Sequence, residues 1–236
     1  MKSFIPLFLL VALLAGCASQ ERERNYSDIT LTPMYGQPEI PRSEAMKKAD
    51  ADFVAKATAA YKGDRKAASV AWAKVAQKFL KDGDGITAML RYNQAWLLDE
   101  NNYLVYWGFG EVENILNKQD DAIKYFRQAI ALCTDNYQLT GIYSDLGITL
   151  AHKADTLPAD SVAERAALFA EADAAIEKSI QLNPNYGNNW RAWCISLVYQ
   201  GRYKEAAEKL SKAEALGAIK LPNPIAQKLS ENLTSK

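Results

Sequence analysis

The chain resembles itself at a fixed offset. Asp84, Ala88, Tyr92, Ala95 and Leu98 recur as Lys118, Ala122, Phe126, Ala129 and Leu132, 34 residues on at every position. Trp72 recurs as Tyr106, whereas Phe79 recurs as Glu113, a departure. Arg202, Ala206, Leu210 and Ala213 keep the same internal spacing. Ala172, Ile176, Leu182 and Pro184 give a further copy, with Ser179 where an alanine is expected.

The spacing has a direct physical reading. A small residue such as Ala88, Ala122 or Ala206 lets two helices approach closely. A large apolar residue four positions later lies on the same helix face and fills the space over the next turn. Glycine, asparagine and aspartate recur where the periodic runs end, and no stretch has the alternation of a strand. The expectation is an all-α chain of short helix pairs. Each pair is too small to bury its own apolar face, and stacking supplies one continuous core.

These residues resemble the tetratricopeptide repeat family. The copies are 69–102, 103–136, 140–184 and 187–220. In the first helix of each copy, Trp72, Val75, Ala76 and Phe79 correspond to Tyr106, Phe109, Gly110 and Glu113. Tyr143, Leu146, Gly147 and Leu150 follow in the third copy, and Trp190, Trp193, Cys194 and Leu197 in the fourth. The resemblance implies a right-handed superhelical α-solenoid of helix-turn-helix repeats.

Two features depart from a regular array. From Leu150 to Ala172 there are 22 steps against nine in a regular copy, a surplus of 13 that contains Leu157-Pro158. Ser161 and Glu164 have capping-box spacing, so a second helix starting near Ser161 and running to Leu182 is expected. The extension over 154–170 is either a partner surface or a tolerated insertion. At the ends, residues 43–68 hold a helix and the start of the solenoid, and an alternative phasing begins one helix earlier. Residues 221–236 read as a helix with Ile225, Leu229 and Leu233 at helical spacing. It either caps the last repeat or docks on a partner.

The N-terminus carries an address. Lys2 precedes an apolar run from Phe4 to Leu14, about 11 residues and too short to span a bilayer as a helix. Leu14-Ala15-Gly16-Cys17 then follows. This resembles the lipobox of bacterial lipoproteins, which implies cleavage between Gly16 and Cys17 and acylation of Cys17 by diacylglycerol and an N-acyl chain. Ala18, not aspartate, follows the cysteine, which in the enteric sorting pattern implies the outer membrane, facing the periplasm. Residues 18–42 contain Pro33, Pro38 and Pro41 and read as a mostly extended tether. Its Tyr26, Ile29, Leu31, Met34, Tyr35 and Ile40 either serve as spacer or dock on the first helices.

In the family, the concave face is lined by the second, fifth, ninth, twelfth and thirteenth positions of each first helix. The resemblance places Val70, Ala73, Gln77, Leu80 and Lys81 there, then Leu104, Trp107, Glu111, Asn114 and Ile115. The third copy gives Gly141, Ser144, Ile148, Ala151 and His152, and the fourth Asn188, Arg191, Ile195, Val198 and Tyr199. The candidate peptide groove therefore comprises Gln77, Lys81, Trp107, Glu111, Asn114, His152, Arg191 and Tyr199. Trp107 is either such an anchor or core beneath the preceding helices.

Other chemistry is poorly supplied. Lys plus Arg equals Asp plus Glu at 28 each, so no basic excess attracts nucleic acid. His152 is the single histidine, which excludes a histidine-based metal pair, and no cofactor is expected. Glu111 and Glu113 point to different helix faces, poor geometry for paired carboxylates. Cys133 and Cys194 lie in different copies and are expected to be free thiols. The sequence thus predicts no enzyme, and instead a membrane-anchored scaffold that binds a protein or peptide partner in the cell envelope. The alternative is a structural or self-assembling subunit with no peptide in its groove, including a homo-oligomer.

Overall fold

A computed structural model describes residues 29–234. Gly16 and Cys17, and with them the signal and lipidation reading, lie outside the described residues, as does the tether before residue 29. Among the described residues all regular structure is helical, and no helix is long and apolar enough to cross a membrane. The chain divides into two compact units, one ending at Glu100 and the other beginning at Asn101.

The first unit contains α1 (Glu44–Ala60), α2 (Arg65–Lys81) and α3 (Gly85–Leu98). Ser43, Asp64 and Asp84 start these helices, each side chain accepting a backbone N–H three residues on. Ala57, Ala68 and Leu98 form a core with Phe53, Val54 and Trp72 packed against it. Residues 29–42 differ from an extended tether. Pro33–Gly36 form a tight turn in which Met34 and Tyr35 take left-handed backbone, φ 56° and 54°. That conformation costs an L-residue about 1–2 kcal/mol, and it is held from α3. Asn93, fully buried, accepts from the Tyr35 N–H and donates to the carbonyls of Thr30 and Thr32, both at 2.9 Å. The Tyr35 ring lies under the Arg42 guanidinium at 4.2 Å, and Arg42 is forked onto Asp50.

The second unit contains α4 (Tyr103–Ile115), α5 (Gln119–Leu132), α6 (Asn136–Thr156), α7 (Val162–Leu182), α8 (Gly187–Tyr199), α9 (Tyr203–Ala215) and α10 (Asn223–Thr234). Here α4 pairs with α5, α6 with α7 and α8 with α9, and each pair packs on the next through α5 against α6 and through α6 and α7 against α8. This is the serial stacking of helix pairs expected of a tetratricopeptide-type solenoid. The small residues of the seam, Ala122, Ala172 and Ala206, are completely buried, as is Ala88 in the first unit. Glycines sit at two of the crossings. A Cβ at Gly110 would meet the Phe126 ring at 2.5 Å, and one at Gly147 would meet the Ala172 carbonyl oxygen at 3.0 Å.

Two local expectations are corrected. The surplus of the third copy is shared: α6 and α7 each have 21 residues, where α4, α5, α8 and α9 have 13 or 14. The first helix therefore lengthens as much as the second. The capping box is not formed, since Ser161 precedes α7 without a side-chain cap bond. Arg165 does the holding instead, donating to the carbonyls of Ala154, Leu157 and Pro158. Ser179, at the position where an alanine is expected, is buried in the seam. Its hydroxyl meets that of Ser144 at 2.8 Å, and Asn189 donates to its carbonyl, a buried polar network joining α6, α7 and α8.

Glu113, where the repeat breaks, is a carboxylate only 1% exposed. Lys118, at the start of α5, reaches back so that its ammonium lies 3.2 Å from Oε2. The departure in sequence is thus an ion pair across the turn of one helix pair. Burial still raises the Glu113 pKa, with Lys118 opposing.

Candidate functional site

Successive first helices of the second unit, α4, α6 and α8, present a strip of half-buried side chains. Trp107 leaves α4 and lies across α6. Its ring covers Gly141, where a Cβ would come within 2.8 Å of Cζ2 and Cη2, and its indole N–H donates to Asp145 Oδ2 at 2.7 Å. Gly141 and Asp145 are one helical turn apart on the same face, so a residue without a side chain and a residue with an acceptor together seat one indole. Burial raises the Asp145 pKa to about 6, against the Trp107 hydrogen bond and the charge of Arg191. Arg191, from α8, is near enough to act on that charge, yet its Nε donates to the Lys220 carbonyl at 3.1 Å.

At the other end of these helices, His152 of α6 stacks on Tyr199 of α8, ring centres 5.1 Å apart. Gln119 Nε2 is 3.4 Å from His152 Nδ1. Lys228 of α10 lies over the far ring, 5.7 Å from the Tyr199 centre, and pairs with Asp155 at 3.0 Å. Burial raises the Tyr199 pKa, and Asp155 adds to it.

Of the predicted groove residues, the second unit brings Trp107, Arg191, His152 and Tyr199 onto this strip through Asp145 and the His152–Tyr199 stack. Glu111 and Asn114 follow Trp107 along α4, half-buried, and Asn114 Oδ1 is buried without a hydrogen-bond partner. Gln77, half-buried, and Lys81, exposed, belong to α2 of the first unit. Other positions inferred from the family pattern turn inward. Ser144 and Ala151 are buried, and Ile195 and Val198 are sealed in a cluster with Ile225 and Leu229 of α10.

Sequence reasoning missed Asp145. The signal was present, because Asp145 stands four residues after Gly141, itself a predicted groove position. It also missed Asp155 and Lys228, whose pairing joins segments 73 residues apart and leaves no local trace.

Cys133 and Cys194 are both free and buried, and burial pushes the Cys194 thiol up to about 12. That is far from the reactive thiolate of a nucleophile.

No family model and no curated protein matches the chain. Among solved structures it is similar to two described as crystal structures of MamA. One is 21% identical with a TM-score of 0.45, over 75% of this chain and 96% of that one. The other is 18% identical with a TM-score of 0.47, over 86% of this chain and all of that one.

Proposed function

We propose that the protein is an adaptor: a lipid-anchored, all-helical scaffold of the bacterial envelope that binds a protein or peptide partner along the strip formed by α4, α6 and α8. The observation that carries this reading is the alignment of Trp107, Asp145 and Arg191 from three consecutive first helices. A rigid indole, a carboxylate and a guanidinium in one half-buried row suit an interface, since aromatic and arginine side chains dominate binding energy when water is excluded around them. Asp145 and Arg191 offer an acceptor and a donor to a peptide backbone. Binding, not catalysis, is what such a strip does. The anchor rests on Leu14-Ala15-Gly16-Cys17, and with Ala18 in the next position the reading extends to the outer membrane, facing the periplasm.

The test is affinity capture from envelope extracts with a soluble form lacking residues 1–17, followed by photocrosslinking from position 107. Arg191→Glu is expected to weaken capture at least tenfold with helicity unchanged. Unaltered affinity for the captured partner refutes the strip.

A second reading, self-assembly, is favoured by the longer α6–α7 pair, where Val162 is 66% exposed. Self-crosslinks from position 166, with no partner trapped at 107, are its expected signature.

A further inference from the structure

The part of the strip nearest the C-terminus is already occupied by the chain's own last helix. Ile225 and Leu229 of α10 lie in one buried cluster with Ile195 and Val198, against which Ile148 and Tyr199 also pack. Ile148, Ile195, Val198 and Tyr199 are four of the groove positions that the repeat pattern assigns to α6 and α8. The polar contact is equally specific. Lys228, three residues after Ile225, pairs with Asp155 at the end of α6 and covers the Tyr199 ring. An apolar residue, a lysine three residues later and an apolar residue four residues later thus read out an acid, a ring and an apolar floor.

The attachment of α10 is slight beside that of the helix it covers. Two of its side chains are buried, Ile225 and Leu229, against eight residues of α8. Leu233 is 40% exposed, and Asn232 and Leu233 border a cavity of about 350 Å³ against Gly201–Glu205. The Lys228–Asp155 pair is more than a third exposed on both sides, where ion pairs hold weakly. A helix of 12 residues is marginal by itself in water, so α10 exists as a helix because this surface orders it.

We propose that α10 is an intramolecular competitor: the α6–α8 surface is a site for an amphipathic helix carrying the Ile225–Lys228–Leu229 pattern, and α10 holds it until a partner helix of that pattern displaces it. This rests on reading the α4–α6–α8 strip as a binding surface and adds the class of ligand for its C-terminal half. Releasing α10 uncovers Ile195 and Val198, which gives a partner an apolar floor that the closed form hides.

The test uses the full chain from residue 18 and a synthetic peptide of residues 221–236. In hydrogen–deuterium exchange of the wild type, amides of 223–234 are expected to exchange at least a hundredfold faster than those of α8. Excess peptide should not alter α8 protection. In fluorescence anisotropy, Ile225→Glu/Leu229→Glu should bind the labelled peptide at least tenfold more tightly than the wild type, because its own helix no longer fills the site. Exchange of α10 as slow as that of α8 would mean that it opens only with the whole unit, and the proposal falls. It falls also if α4 to α9 of the variant keep wild-type amide protection yet the variant binds no peptide. These outcomes are separable from the adaptor reading, since the ligand is the chain's own helix: a partner captured at 107 with α10 immobile removes this proposal alone, and tight peptide binding with no envelope partner removes the other.

Discussion

The indole N–H of Trp107 donates to Asp145 Oδ2 at 2.7 Å, and the bond links α4 to α6 across two consecutive helix pairs. It is paid for by keeping a carboxyl group in a site that resists its charge, so it makes the stability of the second unit depend on pH.

For Asp145 the folded pKa is about 6, above its ordinary 3.8. The neutral acid is favoured by the fold. Its contribution is complete below pH 3.8 and is lost as pH rises through 6. That loss is on the order of 1–3 kcal/mol. Asp145→Asn keeps an acceptor for the indole and has no proton to lose. Urea denaturation at pH 5 and pH 7.5 should show a smaller fall in stability for the variant than for the wild type. Equal falls would mean that Asp145 is solvated as an ordinary carboxylate.

Glu113 and Lys118 form the second electrostatic device. Removing the ammonium leaves a buried carboxylate without a counter-charge, which is costly, while a similar-sized neutral side chain needs none. Lys118→Met is expected to destabilise by about 1–2 kcal/mol at pH 7.5 and by less at pH 5, because the Glu113 pKa is already raised and protonation relieves the charge. Glu113→Gln should abolish the effect of Lys118→Met. A Lys118 effect that persists in the Gln background would assign its role to packing of the stem.

Asn93 acts as a substitute for backbone. Its amide supplies one acceptor and two donors to residues 30–35, and Asn93→Ala removes these three links between α3 and the left-handed turn, while the Tyr35 N–H keeps its bond to the Thr32 carbonyl. A loss of about 1–3 kcal/mol is expected. Trypsin should then cleave after Arg42 faster than in the wild type. Unchanged cleavage would show that the Arg42–Asp50 fork alone fixes the segment.

Gly147 tests the closest approach in the stack. A methyl group there would press on the Ala172 carbonyl and the Ile176 side chain. Gly147→Ala should cost about 1–3 kcal/mol despite the better helix propensity of alanine. A stabilised variant, measured by thermal melting, would mean that α6 and α7 can separate freely.

The sequence by itself determined the helices, their order and the seam they share. Ala122, Ala172 and Ala206 are buried as their spacing requires, because a repeat stack is held by contacts between neighbours along the chain, and such contacts leave a period in the sequence. The 34-residue offset even carries the turn: Asn117 stands at positive φ, 62°, where Gly83 does in the preceding copy. What only the tertiary structure decided is which side chains of the first helices stay open. One residue along a helix is a rotation of about 100°, so the step from Ser144 to Asp145 separates a buried hydroxyl from the acceptor of Trp107. The covering of Ile195 and Val198 by α10, and the clamp of Asn93 on residues 30–35, depend on segments far apart in the chain. Distant partners of that kind impose no spacing on either sequence, and only the folded arrangement reveals them.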